Sequence, residues 1–131
     1  MNMNIETPAE FITNRQYTEK DCYGLDSQVA TLNVITDHQR NHQLAYAHFI
    51  RSEFGDNPDV ESKPAAAPQQ LVLHFSMAVV TILGAGLRPL DRAIQKNELK
   101  YVQRGTFSAS KAERPTTVVT SVTITFNEGP A

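Results

Sequence analysis

The chain has 131 residues, of which 40% are hydrophobic and 20% are charged, and its net charge is −2. This length suits one compact domain, 1–131, and the composition excludes a disordered chain. The slightly acidic balance argues against a general nucleic-acid binder or a protein of anionic membrane surfaces, because both usually carry a basic surplus.

Cysteine usage and hydropathy narrow the class of protein further. Cys22 is the single cysteine, which excludes an intramolecular disulfide. The N-terminal residues lack the basic and apolar regions of a signal peptide. No apolar run approaches the roughly 20 residues that a membrane helix needs. We therefore expect a cytoplasmic protein with no membrane partner.

The N-terminal part of the chain predicts two strands joined by a polar turn. Residues 1–27 are polar and poorly periodic, which is typical of a loosely ordered arm. Residues 29–35 alternate apolar and polar side chains, as a half-buried strand does, and the polar residues 36–43 predict a turn. Residues 44–54 fit both helical and strand spacing. Their aromatic and branched side chains, and the turn before them, favour a strand that pairs with the first.

The middle of the chain predicts a loop, a strand and a helix. Residues 55–69 are rich in proline and acidic side chains and predict an exposed loop. Residues 70–83 predict one long central strand, because both of its faces are largely apolar. Residues 87–97 show the apolar spacing of a helix. The apolar side of that helix would consist of Leu87, Leu90, Ala93 and Ile94.

The C-terminal part predicts a short strand over 99–102, a polar connector over 104–115 and a strong strand over 116–126. In the last strand we expect Val118, Val122, Ile124 and Phe126 to face the core, and Val119, Ser121, Thr123 and Thr125 to line the opposite side. These elements predict an α+β domain. Its mainly antiparallel sheet would have about five strands, with one principal helix, residues 87–97, packed on one face.

The sequence Gly84-Ala85-Gly86 follows a β-branched run and precedes the predicted helix, as in a dinucleotide-binding site. The fingerprint needs a third glycine, but Pro89 stands there, and Arg104 stands about where the acidic ribose partner is expected. We therefore interpret the glycines as the end of a strand and the start of a helix. The alternative is a ligand pocket near Gly84, Gly86 and Arg88, with His74 or Arg104 close by.

The sequence signals for a metal site, a functional histidine or a reactive cysteine are weaker. Asp37, His38 and His42 could hold a metal ion, but their spacing aligns them only on a helix, and a solvated turn is the favoured interpretation. His74 is expected to be a core histidine with one hydrogen bond. Cys22 follows an acidic residue, so nothing local lowers its pKa. The sequence predicts no catalytic residue, no metal and no cofactor, and favours a non-enzymatic protein.

Charge is unevenly distributed along the chain. Residues 1–61 hold ten acids and four bases, whereas residues 85–115 hold seven bases and three acids. Scattered surface charge is the favoured explanation, and pairing between the two parts, within or between chains, is the alternative. A basic stripe on the helix would consist of Arg88, Arg92, Lys96 and Lys100. Such a stripe could meet phosphate, but few aromatic side chains accompany it, so nucleic-acid binding is not favoured.

The leading functional hypothesis is a protein that acts by protein contact as a homo-oligomer. The last strand is long and lacks inward charges, and an unprotected edge of that kind invites pairing. The interaction surface would combine the basic stripe with the Thr117–Thr125 face of the last strand, which includes Ser121. The alternatives are a small-molecule or enzymatic pocket near Gly84–Arg88, and a nucleic-acid site on the basic stripe.

Overall fold

The computed structural model describes residues 21–58, 67–108 and 116–127. The strands within these residues are β1 Tyr23–Leu25, β2 Thr31–Ile35, β3 Asn41–Ala45, β4 Phe49–Asp56, β5 Gln69–Phe75, β6 Ala78–Ala85, β7 Leu99–Val102, β8 Gly105–Phe107 and β9 Thr117–Phe126. A 3-10 turn, Tyr46–His48, joins β3 to β4, and helix α1, Arg88–Gln95, joins β6 to β7.

The strands form two sheets. One has five strands in the order β4-β5-β6-β9-β8, and the other has four in the order β1-β7-β2-β3. All neighbours are antiparallel except β2 and β7, which run parallel. The chain passes between the sheets twice along short connections, at the 3-10 turn and again at Gln103-Arg104 between β7 and β8. The first connection joins the edge strands β3 and β4, and the second joins the interior strand β7 to the edge strand β8.

The core contains buried apolar side chains from both sheets and from the helix. Leu32 and Val34 come from β2, and Leu71, Leu73 and Ile82 come from the five-stranded sheet. The predicted apolar side of the helix is confirmed, since all four of its residues are buried: Leu87, Leu90, Ala93 and Ile94. Helix α1 contacts β4 in one sheet and β7 in the other, so it packs against both.

The predicted α+β class was wrong. Of the described residues, 59% lie in strands and 12% in helices, and the strands form two sheets rather than one with a helix on its face. Three of the strands lie in segments that the sequence assigned to an arm, a turn or a connector, namely β1, β3 and β8. Each of them is an edge strand. Ladder hydrogen bonds come from the backbone, so an edge strand forms without the apolar alternation that marks a central one.

The long strand predicted over 70–83 is a hairpin. Ser76 and Met77 separate β5 from β6, and the two strands pair antiparallel. The inward side chains are at odd positions up to Phe75 and at even positions from Ala78. Odd and even positions both carry mostly apolar side chains in this segment. The hydrophobic pattern therefore does not show where the inward positions change from odd to even. The predicted strand over 99–102 is confirmed as β7.

The last strand is confirmed, but the faces assigned to its first half were wrong, and Phe126, which was expected to face the core, is exposed. A bulge lies between Val119 and Ser121 in its pairing with β6. The bulge reverses the alternation, so that both Val119 and Val122 are buried while Val118 is half-buried. The segment predicted over 44–54 ends β3, forms the 3-10 turn and then enters β4.

Two further predictions fall partly outside the described residues. Of the predicted arm 1–27, residues 1–20 lie outside them, and Cys22 and Tyr23 are buried. Of the predicted loop 55–69, residues 59–66 lie outside them. None of the described residues forms a helix long and apolar enough to span a bilayer.

Replacing Gly84 with alanine should destabilise the protein. A Cβ atom at Gly84 would collide with the carbonyl oxygen of Val118, because β6 and β9 approach closely there. Overpacking of this kind costs about 1–3 kcal/mol, and the free energy of unfolding in urea measures it. Gly55→Ala is the matched control, since nothing lies within 4 Å of a Cβ at that position. Equal stability of the two variants would contradict the close approach.

Candidate functional site

Gly84 and Gly86 lie against the backbone of β9 and the residues just before it. A Cβ at Gly86 would collide with the carbonyl oxygen of Thr116, and Gly86 has a φ of 66°. The first backbone N–H of the helix region, from Leu87, donates to Oε1 of Gln69 at 2.9 Å. The glycines therefore make room for a neighbouring strand, and the space that a phosphate would need is filled.

The other residues of the predicted pocket do not converge. The Arg88 guanidinium lies over the Phe54 ring, 5.0 Å from its centroid, beside the edge strand β4. His74 lies on β5, on the sheet face that points away from the core. Arg104 lies between β7 and β8, with Nε 3.9 Å from Oδ1 of Asp37. The central strands of the five-stranded sheet separate Arg88 from Arg104.

His74 belongs to a charged group on the outer face of the sheet rather than to the core. Its buried Nε2 atom lies 3.4 Å from Oε1 of Glu53. Arg51 donates to the other carboxylate oxygen of Glu53 at 3.2 Å. The His74 imidazole and the Arg51 guanidinium together hold the pKa of Glu53 below its usual value. This group is a surface ion pair on an exposed edge strand.

The predicted interaction surface is divided by the fold. Arg88 and Arg92 lie on the helix, which ends at Gln95, and Lys96 caps its C-terminus. Lys100 lies in β7 instead. Ser121 is on the far side of the five-stranded sheet from the helix, where its hydroxyl donates to Asp37.

Cys22 is fully buried, and its Sγ lies 3.9 Å from the carbonyl oxygen of Thr117. Burial raises the pKa of this thiol to about 12. The thiolate is the reactive form of cysteine, so the folded protein holds Cys22 in its unreactive form at neutral pH.

The candidate site lies at the half of β9 that has a partner strand on one side alone among the described residues. On one side β9 pairs with β6 along most of its length. On the other side β8 pairs only with Thr117–Val119. Within the part of the chain that the structure describes, no strand pairs with residues 123–126 on that side. About half of a ten-residue strand therefore presents a free edge.

The ladder geometry shows which backbone groups face this edge. In an antiparallel pair, successive residues direct their N–H and C=O groups to alternate sides. Val122 directs both groups away from β6, because they bind Asp37. Asn127 directs its N–H to the carbonyl oxygen of Met77, on the β6 side. It follows that the N–H and C=O groups of Ile124 and Phe126 point to the open side.

Asp37 ends the open edge at Val122. Its backbone N–H donates to the carbonyl oxygen of Val122 at 3.0 Å, and the N–H of Val122 donates to Oδ1 of Asp37 at 2.9 Å. The hydroxyl of Ser121 donates to Oδ2 at 2.8 Å. One residue of the turn between β2 and β3 thus does what a paired strand residue would do. Gln39, with a φ of 64°, lets the turn close behind it.

A groove of about 350 Å³ lies between this turn and the open half of β9. Its walls are Thr36, His38, Arg40 and His42 on one side and Val122, Thr123, Ile124 and Phe126 on the other. The His42 ring meets the Phe126 ring edge-on, with centroids 5.2 Å apart. Among the described residues, no carboxylate lines the groove, whereas three basic side chains do. We call this the β9 groove.

The hypothesis of a metal at Asp37, His38 and His42 gains no support from this arrangement. The described residues contain no group of three or more His, Cys, Asp or Glu side chains that could hold a metal ion. Both carboxylate oxygens of Asp37 accept hydrogen bonds from β9. The side chain serves as an acceptor for a strand edge.

Sequence reasoning singled out His38 and His42 but missed Arg40 and the part played by Asp37. The contact of Asp37 with Val122 joins residues 85 positions apart, so no local spacing reveals it. The available signal was the polar turn itself, together with the long uncharged last strand.

In comparisons with known proteins, no family model, no curated protein and no solved structure matches the chain.

Replacing Asp37 with alanine should destabilise the protein by about 1–3 kcal/mol, because the Val122 N–H loses its acceptor. Asp37→Asn is the matched control, since its amide oxygen can still accept from Val122, and its loss should be smaller. Urea unfolding gives the stability of both variants. Hydrogen exchange at the Val122 amide gives the local effect, with faster exchange expected only in the alanine variant. Unchanged exchange in that variant would refute the contact.

Proposed function

We propose that this protein acts by protein contact and adds an extended segment of a partner protein to the open edge of β9. Strand addition of this type uses main-chain hydrogen bonds for affinity and pockets for alternate side chains for specificity. The observation that carries the proposal is the unpaired half of β9, whose free backbone groups border the β9 groove.

The open edge of β9 offers a docked segment both main-chain hydrogen bonds and apolar area. Ile124 and Phe126 together offer two donors and two acceptors. Each hydrogen bond formed with a docked segment contributes about 0.5–1.5 kcal/mol net. Phe126 is 49% exposed, so it also offers apolar area to a partner. The groove volume is at the lower end of the range for ligand sites, which suits the side chains of a short segment.

A comparison with the other long edge of the same sheet supports the same conclusion. β4 carries Arg51, Glu53 and Asp56 and has a bulge after Phe49. Charges and bulges on an edge strand prevent unwanted pairing. Residues 123–126 of β9 carry no charge and no proline, and their pairing with β6 is regular. One edge of the sheet is protected and the other is available.

Self-association is a second candidate, as the sequence hypothesis of a homo-oligomer proposed. Three exposed large apolar side chains lie at one end of the five-stranded sheet: Ile50, Met77 and Phe126, with exposures of 59%, 44% and 49%. Clustered exposed apolar side chains mark contact sites. Pairing of β9 with β9 would bring two Arg40 side chains together, so this candidate uses the apolar end of the sheet instead. A cytoplasmic location remains part of the proposal.

Light scattering over a concentration series tests the second candidate. A dimer that Met77→Glu dissociates would support it, because a buried glutamate would be costly at such an interface. Thr106→Glu, at an exposed position on the opposite edge of the sheet, is the control and should leave the dimer intact. A wild-type protein that is monomeric at every concentration would exclude self-association through this end.

Two substitutions at one position test strand addition. Phe126→Pro removes the ring and the N–H that faces the open edge, whereas Phe126→Ala removes only the ring. Neither N–H nor C=O of Phe126 bonds to β6, so both variants should fold. A display library of random 12-residue peptides with free C-termini supplies the ligands.

Peptides selected on the wild-type protein should bind Phe126→Pro about tenfold or more weakly than Phe126→Ala, which corresponds to one main-chain hydrogen bond of about 1.4 kcal/mol. Fluorescence anisotropy measures both affinities, and circular dichroism checks that both variants are folded. Equal affinities would show that the peptides bind through the groove side chains alone. A library that yields no binder would count against the proposed function.

A further inference from the structure

We infer that the docked segment is the C-terminal end of a partner chain and that its terminal carboxylate is held beside Arg40 and His38. This inference rests on the proposed function and specifies its ligand. It follows from two independent observations, the closed end of the β9 groove and the charges of the side chains around it.

The first observation is geometric. Asp37 occupies the edge of β9 at Val122, and β8 occupies it from Thr117 to Val119. A segment added beside residues 123–126 therefore meets Asp37 after three or four residues. The added chain must end there or turn sharply away. A free chain terminus is the simpler way to fill a site that is closed at one end.

The direction of the segment decides which terminus it is. Both existing neighbours of β9, β6 and β8, are antiparallel to it. β9 runs from the closed end of the groove at Val122 towards Phe126. A third antiparallel partner would run from Phe126 towards Val122. Its C-terminus would then lie at the closed end, next to the turn that holds Asp37.

The second observation is the charge of that closed end. His38 and Arg40 belong to the turn that Asp37 anchors at Val122, whereas His42 lies at the other end, against Phe126. Among the described residues, Arg40 has no ion-pair partner and no hydrogen-bond partner for its side chain. Both Arg40 and His38 are exposed. A guanidinium matches a carboxylate with two parallel hydrogen bonds, so Arg40 has the chemistry to bind a chain terminus.

Among the described residues, Asp37 is the one acid next to these basic side chains, and its charge is already balanced. Its carboxylate accepts from the Val122 N–H and from the Ser121 hydroxyl. Arg104 approaches it at 3.9 Å. In the part of the chain that the structure describes, the titratable and charged groups at this end are thus His38, Arg40, Arg104 and Asp37. The basic groups outnumber the acid, so the site favours an incoming anion.

The test uses a random decapeptide library synthesised in two forms, with a free C-terminal carboxylate and with a C-terminal amide. Retention on the immobilised full chain is measured by mass spectrometry, and affinities of retained peptides by fluorescence anisotropy. The carboxylate form should bind about tenfold or more tightly than the amide form. Arg40→Gln should reduce binding of the carboxylate form to the level of the amide form. Arg92→Gln, an exposed position on the helix, is the control and should change neither.

The outcomes separate this inference from the proposed function. If both forms bind equally and Phe126→Pro weakens both, strand addition stands and the terminal carboxylate is wrong. If the amide form binds equally well through an internal Asp or Glu, and this binding depends on Arg40, the site binds an acidic side chain. The inference is then again overturned. If neither form binds, both the inference and the proposed function fall.

Discussion

The β9 groove depends on one interaction, the pair of hydrogen bonds between Asp37 and Val122. It fixes the turn between β2 and β3, which belongs to the four-stranded sheet, against a strand of the five-stranded sheet. Three hydrogen bonds converge on one residue, and two of them end on a carboxylate, where hydrogen bonds are stronger than between neutral groups. The same contact closes part of the β9 edge and leaves the remainder open. The contact therefore sets the position of one end of the β9 groove.

The contact also determines the electrostatics of the groove. An aspartate in a basic turn would ordinarily form ion pairs with its neighbours and cancel their charge. Here β9 takes up both carboxylate oxygens, and Arg104 approaches from the β7–β8 connection. The side chains of His38 and Arg40 are left without an acidic partner among the described residues. A contact that stabilises the fold therefore also leaves unpaired positive charge at the end of an open strand.

The sequence predicted the features that neighbouring residues determine and missed those that depend on residues far apart in the chain. Helix α1 was predicted because its three buried side chains and Leu87 just before it recur at helical spacing, and β2 because Leu32 and Val34 alternate with polar residues. The hairpin at Ser76-Met77 was missed because both alternations around it are apolar. The edge strands β1, β3 and β8 were missed because the backbone, rather than the side chains, holds them in place. The groove required a contact across 85 positions, so only its polar turn and its uncharged strand were visible beforehand.

Gly84 and Gly86 make room for the strand that carries the site, a role that the Gly-Ala-Gly pattern did not indicate. In a nucleotide-binding loop such glycines admit a phosphate, whereas here they admit the backbone around Val118 and Thr116. The close approach sets the position of β9 along β6 and is followed by the bulge between Val119 and Ser121. That bulge turns Val122 inwards and brings its backbone groups to the Asp37 side. The glycine pair and the bulge thus act together to align the open edge with the basic turn beside it.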